Sequence, residues 1–398
     1  MSLPEFSRIS KEIALAFHDV LLEPAASSVG QKEISLASFF SKTIPLNAPF
    51  AACTSHKDLA ILLAQSGGIG IVPCDTTISR QTEVVRKVKS YQSRIVRNVI
   101  TAAPETSIAE MLEYKTRYDL SVIPVLESGT RVLAGFLILD DKISYDDPDK
   151  TVAHFMSDAP FTTIKEDADI SEAYKIMAET GVTHVAMVDE AGRCTGLVTK
   201  EDKDKAEKSP LATMDRNGCL RVAAAVCTGE EHFDRVNALI DAGVDAIVVD
   251  MVHGHSKKVL DMVSFIRRQR SGNVDVIAGN IATSEAAFAL MDAGATGIKV
   301  GIHKGAVSVP QLTAIIQVAE ACLMRGIPVI ADGGIFSGSD AVKAFAAGTT
   351  SMMIDADEKE IEAQIKALSA DLSAAMEYTG CCTLREFNTR PRFIRVSK

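Results

Sequence analysis

Several apolar runs in this chain end on acids, amides or glycines, the groups from which a ligand site can be built. Pro328-Val329-Ile330-Ala331 runs into Asp332-Gly333-Gly334. An acid and two glycines at the end of such a run stand where phosphates often sit; the aspartate can instead cap the next helix. Val249-Asp250 leads into His253-Gly254-His255-Ser256, and Val276-Ile277-Ala278-Gly279 leads into Asn280 and Thr283. Two histidines in one loop, with no acid at helical spacing, make a weak metal signal, and no metal is expected. Lys299 lies inside the run Gly297-Ile298-Lys299-Val300. It either pairs with a neighbouring acid or serves a reaction built from Asp250, His253, Lys299 and Asp332. That run stops at Gly301, and a short loop with His303, Lys304, Gly305 and Ser308 precedes the next helix. No cysteine lies between Cys227 and Cys322, so Ser308 is the loop's one nucleophile-type side chain, and it has no evident base.

The elements that must position these residues follow a repeated pattern. A helix end, a glycine and an apolar strand recur at Gln65-Ser66-Gly67-Gly68-Ile69, Asp241-Ala242-Gly243-Val244, Asp292-Ala293-Gly294-Ala295 and Ala346-Ala347-Gly348-Thr349. Glycine suits the left-handed position that ends a helix, and parallel strands buried on both faces read as unbroken apolar runs. Further runs at Leu220 to Val226, Val274 to Ala278 and Pro328 to Ala331 space the strands about every 25 residues, as in a (β/α)8 barrel. Strands 1 and 2 are expected near 48–52 and 69–72, and strands 3 to 8 between 220 and 354. After the helix of strand 2, at about 79–91, more than 100 residues precede strand 3, too many for a loop. The expected division is a barrel from 1–94 and 206–398 with a domain inserted over 95–205. The insert's halves look alike: helix Ser107 to Leu112 with strands Leu120 to Val125 and Leu133 to Ile138, then helix Ile170 to Met177 with strands Val182 to Asp189 and Cys194 to Thr199.

Composition narrows the function classes. With 398 residues, 47% hydrophobic content and a mean hydropathy of +0.13, the chain reads as an α/β protein with a large core and no apolar run of membrane-spanning length. The segment Met1 to Phe6 lacks a signal pattern, so a cytoplasmic location is expected. Net charge is −10 and basic residues are dispersed, which argues against nucleic-acid binding. The eight cysteines form no CxxC pair, so neither a zinc site nor a disulfide framework is indicated.

Val249 to Ser256, Val276 to Thr283, Asp292 to Gly301 and Pro328 to Ile335 resemble the IMP dehydrogenase/GMP reductase family, as do Phe17 to Ala25 and Ala375 to Thr383. In the insert, Gly196-Leu197-Val198-Thr199-Lys200-Glu201-Asp202 resembles the end of a CBS module, and a tandem CBS pair after strand 2 is the arrangement of many IMP dehydrogenases. The resemblance implies that Asp332, Gly333 and Gly334 hold a purine nucleotide. Asp250, His253, Asn280 and Thr283 would face a nicotinamide cofactor, NAD, and Thr199 and Asp202 an adenine nucleotide. Ile138 stands where the first module would carry threonine. A homotetramer or higher oligomer is expected, with no nucleic-acid or membrane partner.

Three departures fall on the implied active-site face. The family's loop after strand 6 carries a cysteine that adds to C2 of the purine base so that hydride can leave, and here that loop is missing. Strand 8 continues from Met353-Ile354 into Asp355 where the family has a phosphate-binding Gly-Ser. At about 4 Å a carboxylate repels a phosphate charge by roughly 4 kcal/mol, unless Asp355 instead caps the helix expected from about Glu358. Only 19 residues separate Ile354 from Ala374, so the Arg-Tyr flap has no counterpart, and Glu360 to Met376 reads as one amphipathic helix. Three readings follow. The first is a divergent purine-nucleotide-binding member with a regulatory or sensing role and no oxidation of IMP, a pseudoenzyme. The second is an active NAD-dependent IMP dehydrogenase, or GMP reductase, with rearranged loops. The third is a different barrel reaction using Lys299 and Asp332.

Overall fold

Apolar runs of three to seven residues form eight parallel strands that close into a barrel. The computed structural model describes residues 13–91, 95–97, 99–118, 120–139, 150–157, 161–269, 274–355 and 360–396. The strands are β1 (Phe50–Cys53), β2 (Ile69–Val72), β3 (Val222–Val226), β4 (Ala246–Asp250), β5 (Asp275–Ile281), β6 (Gly297–Val300), β7 (Val329–Ala331) and β8 (Ser351–Met353). Each neighbours its successor in the chain, and β8 pairs with β1 to close the ring. The helices that follow them are α1 (Lys57–Gln65), α2 (Ile78–Tyr91), α3 (Phe233–Asp241), α4 (Lys257–Arg267), α5 (Ser284–Ala293), α6 (Gln311–Leu323), α7 (Gly338–Ala346) and α8 (Ile361–Thr379). The recurring glycines do end helices at positive φ, 106° at Gly294 and 112° at Gly348. No described helix is long and apolar enough to cross a membrane.

Period-two alternation decides which side chains fill the barrel. Ala51, Ile69, Ile71, Ala223, Ala225, Ala246, Val248, Ile277 and Ile330 form one buried cluster, joined by Phe40, Ile44 and Leu46 from a segment that precedes β1. That segment seals the end where the strands begin. Asp275, the first residue of β5 and only 4% exposed, accepts the Ser41 hydroxyl, the Thr43 hydroxyl at 2.8 Å and the Thr43 N–H at 3.0 Å. The opposite end, at the strands' C-termini, is left for chemistry.

Helix α8 begins at Ile361 after Glu360, which makes no side-chain capping bond. This agrees with the single amphipathic helix expected over Glu360 to Met376, while Asp355, exposed beyond β8, is not its cap; residues 356–359 lie outside the described ones. The cap was misplaced because a run of acids before an amphipathic stretch has several equivalent starting points in sequence.

The chain divides into two compact units, Met1–Val85 with Val222–Lys398, and Arg86–Arg221. The second is wider than the span 95–205 expected from sequence. It holds helix Ile108–Tyr118 with the hairpin Val122–Leu126 and Leu133–Ile138, then strand Thr163–Lys165, helix Ile170–Thr180, the hairpin His184–Val188 and Cys194–Thr199, and helix Lys200–Lys208. Each half has its own core, Ile108, Met111, Ile123 and Leu137 in one and Ala173, Met177, Val185 and Val198 in the other, with Phe136, Ala186 and Leu197 packed where the halves meet.

Candidate active site at the barrel mouth

Continuing the inward alternation one step past the core takes Ala51 to Cys53, Val248 to Asp250, Ile277 to Gly279 and Ile330 to Asp332. These residues form the layer just inside the mouth. On β6 the inward position is Lys299, 3% exposed, whose Nζ lies 2.8 Å from Asp250 Oδ1 and 2.9 Å from Asp332 Oδ2. Burial, the largest single influence, pushes this ammonium's pKa down; the combined pull of Asp332 and Asp250 more than reverses it, leaving it raised. A lysine so held stays protonated and committed to two acids, which leaves no free amine for the third reading.

Asn280 ties the acids to the adjoining loop. Its Nδ2 donates to Asp332 Oδ2 at 2.8 Å and to the Gly301 carbonyl at 2.9 Å, while its Oδ1 is buried with no partner among the described residues. Gln311, at the start of α6 and 4% exposed, donates to the Val300 carbonyl at 2.9 Å. Two glycines make this closeness possible. A Cβ on Gly279 would lie 2.7 Å from the Lys299 Cβ and nearer still to its carbonyl oxygen. Gly301 has φ 147°, and a Cβ there would overlap the Asp332 carbonyl oxygen.

Of the residues singled out in sequence, Asp250, Asn280, Lys299 and Asp332 are brought together. Gly333 and Gly334 follow directly with φ 78° and 71°, conformations that turn the chain sharply after Asp332. His253 is exposed in the loop after β4. Thr283 is committed as the N-cap of α5, accepting the Ala286 N–H at 3.3 Å. The expected bare loop after β6 is instead a tight antiparallel hairpin, with His303 opposite Ser308 and Lys304 opposite Val307, turning at Gly305 with φ 57°. Ser308 is exposed on it. In the other unit, Thr199 caps helix Lys200–Lys208, donating to the Asp202 carboxylate at 2.6 Å and accepting its N–H at 3.1 Å.

Sequence reasoning missed Cys53 as a mouth residue. It is exposed at the rim, yet surrounding protein desolvates its thiol and pushes the pKa up to about 11, with Lys299 pulling it down and Asp250, Asp332 and Asp75 pushing it further up. The signal was present: Cys53 is two residues beyond the inward-facing Ala51.

Carboxylates with lone pairs left over and an orphaned amide oxygen are acceptors in search of donors, which suits a ligand that brings hydroxyl or amino groups. A closed parallel barrel with such a layer at its C-terminal mouth belongs to the (β/α)8 class, whose active sites are built on that face. A family model described as the IMP dehydrogenase / GMP reductase domain matches residues 14–357. The inosine-5'-monophosphate dehydrogenase of Aquifex aeolicus is 42% identical over 355 residues, 85% of this chain and 72% of its own. That of Pasteurella multocida is 41% identical over 361 residues, 87% of this chain and 74% of its own. The crystal structure of GMP reductase from Trypanosoma brucei in complex with guanosine 5'-triphosphate aligns with a TM-score of 0.86 and 30% identity, covering 98% of this chain and 99% of that one. This chain belongs to the IMP dehydrogenase/GMP reductase family.

Proposed function

We propose that the barrel mouth binds a purine nucleoside monophosphate and that this chain does not carry out the family's cysteine-dependent step. Asp332 accepts the ribose hydroxyls and the amides after it approach the phosphate. The observation that carries this reading is the β6–α6 connection: a hairpin of His303–Lys304 with Val307–Ser308, containing no cysteine. Without a thiol added to the base, the purine C2 has no hydride to release easily. The role left is regulatory, with nucleotide sensed at the mouth and, if the insert acts as a tandem CBS pair, at Thr199 and Asp202. A nucleotide there would compete for hydroxyl and carboxylate groups that now bond each other.

A second reading, an active NAD-dependent IMP dehydrogenase or GMP reductase with rearranged groups, draws its support from the relatives. Proteins named as IMP dehydrogenases are 41% and 42% identical to this chain, and their names favour this reading over the first. A nicotinamide cofactor would supply the hydride chemistry, with Asp250 and Asn280 accepting its ribose hydroxyls. Cys53 is the thiol at hand in the mouth for the missing nucleophile, although its high pKa keeps it protonated at neutral pH.

The deciding experiment mixes purified protein with IMP and NAD, and separately with GMP and reduced nicotinamide dinucleotide. The first reading expects constant nicotinamide absorbance together with calorimetric binding of IMP or GMP. Steady turnover overturns it in favour of the second, and loss of that turnover in Cys53→Ser would assign the nucleophile.

A further inference from the structure

Two thiols meet on the same rim, outside the Asp250–Lys299–Asp332 cluster. Cys74 lies in the turn between β2 and α2, and Cys227 directly follows β3. These strands pair in parallel with Ala224 opposite Val72, so two residues further on Cys74 stands level with Val226, beside Cys227. Their sulfurs are 2.9 Å apart, and both residues are half-buried, within reach of small solutes.

The frame around them is set by neighbouring side chains. Gln81 of α2 donates through Nε2 to the Val72 carbonyl at 3.0 Å and to the Ala225 carbonyl at 2.9 Å, clamping β2 to β3 just beneath the thiols. Arg235 of α3 donates to Gln81 Oε1 at 2.6 Å and to the Thr76 carbonyl at 2.8 Å, holding the turn that carries Cys74. A disulfide requires about 2.05 Å between sulfurs, so closure asks the two sulfurs to approach by roughly 0.9 Å.

We propose that Cys74 and Cys227 are a redox-modification site that closes to an intrachain disulfide by exchange with a small-molecule disulfide of the glutathione class. One protein thiolate attacks the external disulfide, forming a mixed disulfide and releasing one small thiol. The second protein thiolate then attacks the protein-bound sulfur, forming the Cys74–Cys227 bond and releasing the second small thiol. The two protein thiols lose two electrons and two protons, and the external disulfide gains them. Burial, and then the contact with Cys227, push the Cys74 thiol up to about 12, so exchange at neutral pH is slow and requires long equilibration. The inference does not depend on which reading of the barrel mouth is correct.

The test equilibrates the full chain in buffers of increasing oxidised-to-reduced glutathione ratio, quenches with acid, alkylates after unfolding and maps the peptides. The expected result is a cross-linked Cys74–Cys227 peptide that grows with the ratio and disappears on adding dithiothreitol, with both positions losing their alkyl label. Wild-type protein should gain in thermal midpoint on oxidation, and Cys74→Ser or Cys227→Ser should abolish both cross-link and gain. Free thiols at both positions at the most oxidising ratio, or glutathione adducts at either without the cross-link, overturn the proposal. The wild-type peptide map decides this even if a serine variant folds poorly.

Discussion

Replacing Lys299 with methionine keeps most of the apolar stem and removes the charge that holds the mouth together. At an effective dielectric near 20, each of its two carboxylate contacts, at 2.8 and 2.9 Å, carries about 6 kcal/mol of Coulomb attraction before desolvation is subtracted. The larger consequence concerns what remains. The two bonded carboxylate oxygens lie no further apart than those two distances added together, and without the ammonium they repel by about 3 kcal/mol. Removing one partner of a buried ion pair typically costs about 3–5 kcal/mol. Asp250 and Asp332 side chains stay 31% and 26% exposed, so water relieves part of this and the lower end, about 3 kcal/mol, is expected. Urea unfolding followed by circular dichroism is the assay, since the chain has no tryptophan. Lys299→Met combined with Asp332→Asn should cost less than the two changes summed. A loss under about 1 kcal/mol, with the double variant costing the full sum of the two single changes, would refute the claim that this triad organises the mouth.

Two further predictions follow from the same physics. Because the folded Lys299 pKa is raised above its ordinary 10.5, its contribution to stability is fully present below that pH and is lost as pH rises through the folded value; wild-type unfolding midpoints should therefore fall more steeply than those of Lys299→Met in an alkaline series above about pH 10. Asp275→Ala strands the Ser41 hydroxyl and the Thr43 hydroxyl and N–H at the sealed end, and should cost about 3 kcal/mol in urea unfolding; calorimetric affinity for IMP should be unchanged, since the mouth lies at the other end of the strands, and a weakened affinity would contradict that separation.

The barrel was legible because each of its units is local. A helix, a glycine that tolerates positive φ and a strand buried on both faces all leave marks within about ten residues of chain. The insert was legible from length alone. What a helix start or a loop would look like was less so: Asp355 was offered as a cap, and the observed helix begins beyond it at Ile361, after Glu360. The segment His303 to Ser308 was correctly short and free of cysteine, but its pairing into a hairpin depends on backbone bonds that four ordinary residues around Gly305 do not announce.

Lys299 shows where local reasoning stops. Sequence placed it on a strand and left two roles open, an amine for chemistry or a partner for an acid, and strand alternation could favour neither. Ring closure put β4, β6 and β7 around one mouth, so that Asp250 and Asp332 converge on a single ammonium. Cys53, Cys74 and Cys227 are similar: unremarkable as separate cysteines, they become a mouth thiol and a facing pair only when distant strands become neighbours. Sequence alone determined the fold class and the family, because those are properties of residue type and short-range order. Which charges and thiols meet was decided by tertiary structure, because an ion pair or a thiol contact is set by separation in space, on which local sequence pattern is silent.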